Sequence, residues 1–261
     1  MAEQFDDLLL DEFAHNFYGY GNYGGQFWFI GMEEGGGDSF AEVAKRLEVW
    51  ALRGRREIDD VAEYLAAIGI THLHNDHPKL QSTWSGLIRI LLSSNGETPT
   101  TEQVRECQRT SLGRLAGNTY LTELFPLPSP SLGHWLYAQH SGLPYLCDRR
   151  TYRQTCLAFR SAHLRKRIGD LRPAVAIFYG LSYRGYWQAI ANVDFKEELD
   201  GVYAGCNGST LFVMTKHPAA TGVTNEYFHQ VGKICKIVPP GCPRNARDGS
   251  AGAENSPEVT H

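Results

Sequence analysis

The six cysteines of this 261-residue chain (Cys107, Cys147, Cys156, Cys206, Cys235 and Cys242) are scattered, with no Cys-x-x-Cys among them. That argues against a zinc or iron–sulfur framework and for free thiols in a reducing compartment. No apolar run approaches the length that crosses a bilayer, and the acidic N-terminal stretch has no signal-peptide core. A soluble, cytoplasmic protein without membrane contact is expected. Net charge is scarce too: 25 Lys and Arg against 29 Asp and Glu leave -4. No global field therefore draws the chain to nucleic acid, although a local basic patch suffices for that. There is no internal repeat, and the single triple-glycine run lacks the Lys-Ser/Thr that completes a phosphate-binding loop. Nothing in the sequence calls for a cofactor or an obligatory protein partner, and a monomer is expected.

What the chain does have is Phe27-Trp28-Phe29-Ile30-Gly31-Met32-Glu33-Glu34-Gly35-Gly36-Gly37. Four large apolar residues in a row read as a strand buried on both faces. A glycine-rich turn at the C-terminal end of such a strand is where open α/β sheets hold ligands, and glycine lets backbone approach them closely. Two carboxylates placed there can do acid–base or electrostatic work. The plainer reading is a tight turn with solvated glutamates.

The rest of the chain alternates. Helices are expected over 3–18, 39–52 (capped by Asp38 or Ser39), 58–68, 84–92, 101–115, 150–168, 182–191 and 224–236. Buried strands are expected at 27–30, within 117–125, at 174–179 and at 211–214. From Pro239 the Gly/Pro/Ser/Glu composition reads as a disordered tail, leaving residues 1–238 as a single domain. Strands separated by helices predict a three-layer α/β/α fold around a mainly parallel sheet. Three strand ends carry unusual chemistry, namely Glu33 with Glu34, Glu123, and His217. In a parallel sheet all three open on the same edge.

This layout resembles the uracil-DNA glycosylase superfamily. The family's first motif, of the form Gly-Gln-Asp-Pro-Tyr or Gly-Ile-Asn-Pro-Gly, is matched by Gly31-Met32-Glu33-Glu34-Gly35. Its His-Pro-Ser motif near the last core strand is matched by His217-Pro218-Ala219, and Leu171-Arg172-Pro173 through Gly180 follows its helix–strand connection. The resemblance spans about residues 25–236 and implies excision of a base flipped out of DNA. On that footing Glu33, and Glu34 as a second candidate, orient water or stabilise the cationic sugar. His217 donates a hydrogen bond to the departing base. Gly31, Met32, Gly35, Phe40, Glu123, Pro218 and Ala219 would line or contact the substrate, with Phe40 as a stacking ring and residues 218–224 pressing into the duplex.

Glu123 stands where the family has a base-reading asparagine. An ionised carboxylate only accepts hydrogen bonds, so a base offering an amine suits it better than uracil unless the acid is protonated. Its plainer reading is an ion pair with an arginine. Glycosylase-fold binding of nucleic acid or a nucleotide without catalysis is the alternative function. A third rests on His72-Leu73-His74-Asn75-Asp76-His77, which matches the His-x-His-x-Asp-His signature of the metallo-β-lactamase family and would make a zinc hydrolase. The segment before it reads as helix rather than the strand that orients such ligands, so no tight metal site is expected. Basic runs at 53–56 and 164–167 can contact phosphates or simply be solvated helix ends.

Overall fold

Phe27–Glu33, Val175–Tyr179 and Leu211–Thr215 are almost wholly apolar, and nearly every residue in them is buried. Burial of consecutive residues, whose side chains alternate between faces, requires cover on both sides of the sheet. The structure, a computed structural model, describes residues 3–236. In chain order its elements are α1 (Asp7–Asn16), β1 (Tyr20–Gly21), β2 (Phe27–Glu33), α2 (Phe40–Leu52), α3 (Val61–Ala67), α4 (Ser82–Ser94), α5 (Thr101–Thr110), β3 (Thr119–Phe125), α6 (Tyr137–His140), α7 (Arg149–Leu171), β4 (Val175–Tyr179), α8 (Arg184–Ala191), β5 (Lys196–Leu199), β6 (Val202–Cys206), β7 (Leu211–Thr215) and α9 (Asn225–Ile234).

The strands form one seven-stranded mixed sheet in the order β1-β3-β2-β4-β7-β6-β5. Its centre, β3-β2-β4-β7, is parallel throughout. β1 adds antiparallel at one edge, and β6 with β5 at the other. The fold is therefore α/β, as the alternating pattern predicts. From β2 the chain passes sideways to β3, then returns across β2 to β4 and continues the other way to β7. The sequential connections thus diverge between β2 and β4, which places the sheet's topological switch point beside the end of β2.

Several boundaries differ from expectation for local reasons. The first helix is shorter than 3–18 because Asp6 caps it, accepting from the N–H groups of Leu8 and Leu9. Ser39, rather than Asp38, caps α2. The helix at 101–115 stops at Thr110, and β2 runs on to Glu33 because Glu33 still pairs with Phe125 of β3. Short β1 and the β5–β6 hairpin have no counterpart in the sequence reading. The predicted tail from Pro239 lies outside the described residues. Among the described helices none is long and apolar enough to cross a membrane.

Candidate functional site

Glu123, Gly31 and Tyr179 lie abreast on three neighbouring strands. Gly31 pairs with Glu123, and the parallel register that sets Ile30 against Phe178 puts Tyr179 on its other side. The flanking side chains meet above the glycine, where the Tyr179 hydroxyl donates to Glu123 Oε1 at 2.5 Å. A Cβ on Gly31 would lie 2.1 Å from Glu123 Oε2 and 2.4 Å from the Tyr179 hydroxyl. Gly31 is thus required by two side chains that close over it, whereas the sequence suggested a glycine kept free for a ligand. Glu123 Oε2 is buried and has no partner. Burial, helped by the charges of Glu34 and Glu33, pushes the Glu123 carboxyl up to about 8. Glu123 is therefore mostly neutral near pH 7; of the two alternatives its sequence position left open, this is the protonated acid. It does not form an ion pair: Arg160 of α7 donates to the backbone carbonyls of Glu123, Leu124 and Phe17 instead.

Beyond this triad a cleft of about 550 Å³ opens at the C-terminal ends of β2, β3 and β4. Met32, Glu33, Glu34, Gly35, Glu123 and His217 all border it. Glu33 is nearly buried. Its Oε2 accepts from Arg149 at 2.5 Å and Arg153 at 3.1 Å, both on the first turns of α7, while Oε1 is buried without a partner. Desolvation outweighs the two guanidinium groups, so its pKa is raised. Glu34 points to the other flank, where Oε1 meets Arg46 of α2 at 2.8 Å and Oε2 accepts from the Tyr20 hydroxyl at 3.3 Å. Arg46, itself buried, also holds Glu42, whose carboxylate accepts the Asp38 N–H. Both glutamates are therefore held by arginines rather than solvated.

His217 follows β7. Its Nδ1 accepts the Ala219 N–H at 3.1 Å, so the neutral ring carries its proton on Nε2. The ring lies 5.6 Å from that of Tyr179, and desolvation in the cleft lowers its pKa. Pro218, predicted to touch substrate, is instead buried against α4, where a Cβ on Gly86 would come within 2.9 Å of it. Ala219 is exposed, and residues 219–222 present only small side chains, a poor wedge for a duplex. Phe40 is a clear misplacement: its ring stacks on Phe5 at 4.6 Å and leans on His140, at the base of α2 and away from the cleft. A ring that does line the cleft is Trp84, at the start of α4, together with Tyr179 and Tyr183. Sequence periodicity marked Trp84 only as an apolar helical residue. A tryptophan one turn inside a helix was the available signal.

The His72–His77 segment makes no metal cage. His72 borders the cleft, but the His74 ring packs on Trp84 at 5.6 Å with neither nitrogen paired, and burial drops its pKa to about 4. Among the described residues no three His, Cys, Asp or Glu side chains gather as a metal would need. The basic runs make ion pairs and hydrogen bonds within the chain, several of them at the exposed surface. Arg53 binds Asp59 and Glu63, Arg55 binds Glu12, and Arg56 approaches Asp59. Arg165 donates to the Ala189 carbonyl, Lys166 pairs with Asp170, and Arg167 with Glu57. None of them borders the cleft.

Fold and site together define an α/β protein with an acid-bearing, aromatic-walled cleft at the switch point of its sheet. No protein-family model matches the chain, and neither does any curated protein.

Proposed function

We propose that the chain is a DNA glycosylase of the uracil-DNA glycosylase type, holding a flipped-out base in this cleft and hydrolysing its N-glycosidic bond. The observation that carries the reading is the convergence of Glu33, Glu123 and His217 on one cleft from three separate strand ends. Aromatic rings beside those groups suit a flat heterocycle. As the bond to the sugar lengthens, positive charge develops on the sugar and negative charge on the departing base. Glu33 has one oxygen, Oε1, that is buried at the cleft wall and not consumed by its arginines. That oxygen orients water or stabilises the sugar, while Arg149 and Arg153 fix the carboxylate. His217, with its proton on Nε2, donates to the base oxygen as it becomes anionic.

The second reading, binding of a base without its removal, is favoured by one specific feature. Glu33 and Glu34 each already satisfy arginines, which is how structural carboxylates behave. The two separate on incubating the full chain with single- and double-stranded oligonucleotides carrying uracil, hypoxanthine or an unmodified base, followed by alkaline cleavage at abasic sites. Strand cleavage supports the glycosylase. Retention of the oligonucleotide with no cleavage supports the binder, and neither outcome with any substrate rejects both.

A further inference from the structure

The guanidinium groups at the cleft walls are already held, Arg46 by Glu34 and Glu42, Arg149 and Arg153 by Glu33. A nucleic-acid strand whose base entered here would bring phosphates to the cleft mouth, and only cations outside those pairs could hold them. Three such cations stand beside the mouth. Arg150, exposed, follows Arg149 on the first turn of α7. Arg184, exposed, begins α8 directly after Tyr183, which borders the cleft. The two helix starts meet where the Arg153 guanidinium lies 6.0 Å from the Tyr183 ring centroid. Lys79, also exposed, comes from the loop between α3 and α4. Its backbone N–H donates at 2.9 Å to the carbonyl of His72, another residue bordering the cleft. None of these three side chains makes an ion pair or a hydrogen bond. The acids close to them in sequence are engaged: Asp148 caps α7 by accepting from Thr151, and the charge of Asp76 falls on Arg109.

We propose that Lys79, Arg150 and Arg184 bind the phosphates of a nucleic-acid strand as it crosses the cleft mouth. The inference rests on the base-binding reading above and specifies what holds the rest of the strand. A guanidinium offers phosphate two parallel donors, and an ammonium serves as a point charge. Each such contact releases a counterion condensed on the strand, which makes binding salt-dependent. The net charge of -4 supplies no general attraction, and neither basic run of the sequence borders the cleft. Affinity for a strand then comes from cations placed singly at the mouth. Trp84 and Tyr183, which border the cleft, offer faces on which neighbouring bases stack. Arg172 is the internal control. It too is exposed and makes no ion pair, but it precedes β4, at the edge of the sheet opposite the cleft. It carries the same charge in a place no strand entering the cleft would touch.

The test is fluorescence anisotropy of the full chain with labelled single-stranded oligonucleotides of about 12 residues, carrying uracil or hypoxanthine, at several salt concentrations. Calorimetry with free deoxyuridine and deoxyinosine runs beside it. Wild-type affinity for the oligonucleotides should fall steeply as salt rises, and affinity for the uncharged nucleosides should not. Lys79→Gln, Arg150→Gln and Arg184→Gln should each weaken oligonucleotide binding about fivefold at about 0.1 M salt and flatten the plot of log affinity against log salt by about 0.7. Each should keep nucleoside binding. Arg172→Gln, with the same change of charge, should alter neither. All four positions are exposed, and thermal melting verifies that each variant is folded. A loss in Arg172→Gln equal to that in the other three, or a slope unchanged in all three, overturns the proposal and leaves the base-binding reading standing. So does wild-type binding of the nucleosides without the oligonucleotides. Failure of the wild type to bind any of these ligands overturns both.

Discussion

Gly31 matters to this site through the side chain it lacks. Replacing it by alanine drives a methyl group into the Tyr179–Glu123 hydrogen bond from below. Gly31→Ala should therefore destabilise the fold by roughly 1–3 kcal/mol and weaken ring binding, measured by denaturant unfolding and by titration. Glu123 gives a second prediction. Its folded pKa lies above the ordinary 4.5, at about 8, so between those values the folded chain binds more protons than the unfolded one. Stability then falls as pH rises through this window and levels off above it. The loss across the window is on the order of 5 kcal/mol, and Glu123→Gln should abolish most of that slope. An unchanged slope in the variant would show that Glu123 is not the buried acid responsible. Glu123 and His217 were legible because polar residues closing apolar strands are conspicuous. Tyr179 was not, since a tyrosine ending Val175–Tyr179 reads as one more apolar residue until a neighbouring strand supplies its acceptor. Phe40 was misread because spacing cannot tell a ring facing the core from one facing a cleft.

Among the elements, the loop after β2 and the helix α7 do most to build the site. The three glycines following Glu34 are not equivalent. Gly36 and Gly37 have positive φ of 101° and 72°, and a Cβ on Gly37 would lie 2.6 Å from the Pro128 carbonyl oxygen, whereas Gly35 has open space around it. Gly37→Ala should lower the melting temperature clearly, and Gly35→Ala should leave it nearly unchanged. A matching loss in both would mean that the loop is set otherwise. Helix α7 brings Arg149 and Arg153 to Glu33 and, further along, Arg160 to three backbone carbonyls, two on β3 and one just after α1. Arg160 is 1% exposed and its guanidinium lies 3.8 Å from the Tyr18 ring centroid. Arg160→Leu orphans those carbonyls and should destabilise by about 3 kcal/mol or more, read in urea unfolding. The helix at 150–168 was legible, but nothing in its sequence marks Arg149, Arg153 and Arg160, because their partners come from distant segments. The β5–β6 hairpin escaped notice for a different reason. Lys196-Glu197-Glu198-Leu199 is an exposed edge, and such a strand carries no apolar alternation.

At the scale of the whole molecule, the sheet order places the site. The parallel centre β3-β2-β4-β7 was legible because β2, β4 and β7 are apolar runs and β3 is mostly buried, and with it the side of the sheet on which Glu33, Glu123 and His217 emerge. What the linear pattern could not supply is which strands are neighbours, and hence that Glu123 and Tyr179 flank β2. The linear pattern also could not show that Arg53 pairs with Asp59 or that Arg167 pairs with Glu57. The central claim is that this cleft breaks an N-glycosidic bond with Glu33 and His217 acting on charge that develops in the transition state. Single-turnover excision from uracil- and hypoxanthine-containing oligonucleotides tests it most directly. The wild type should release the base, and His217→Ala and Glu33→Gln should each slow release by about a hundredfold while binding the oligonucleotide nearly as well. Release at an undiminished rate by both variants, or no release by the folded wild type from any of these substrates, would contradict it.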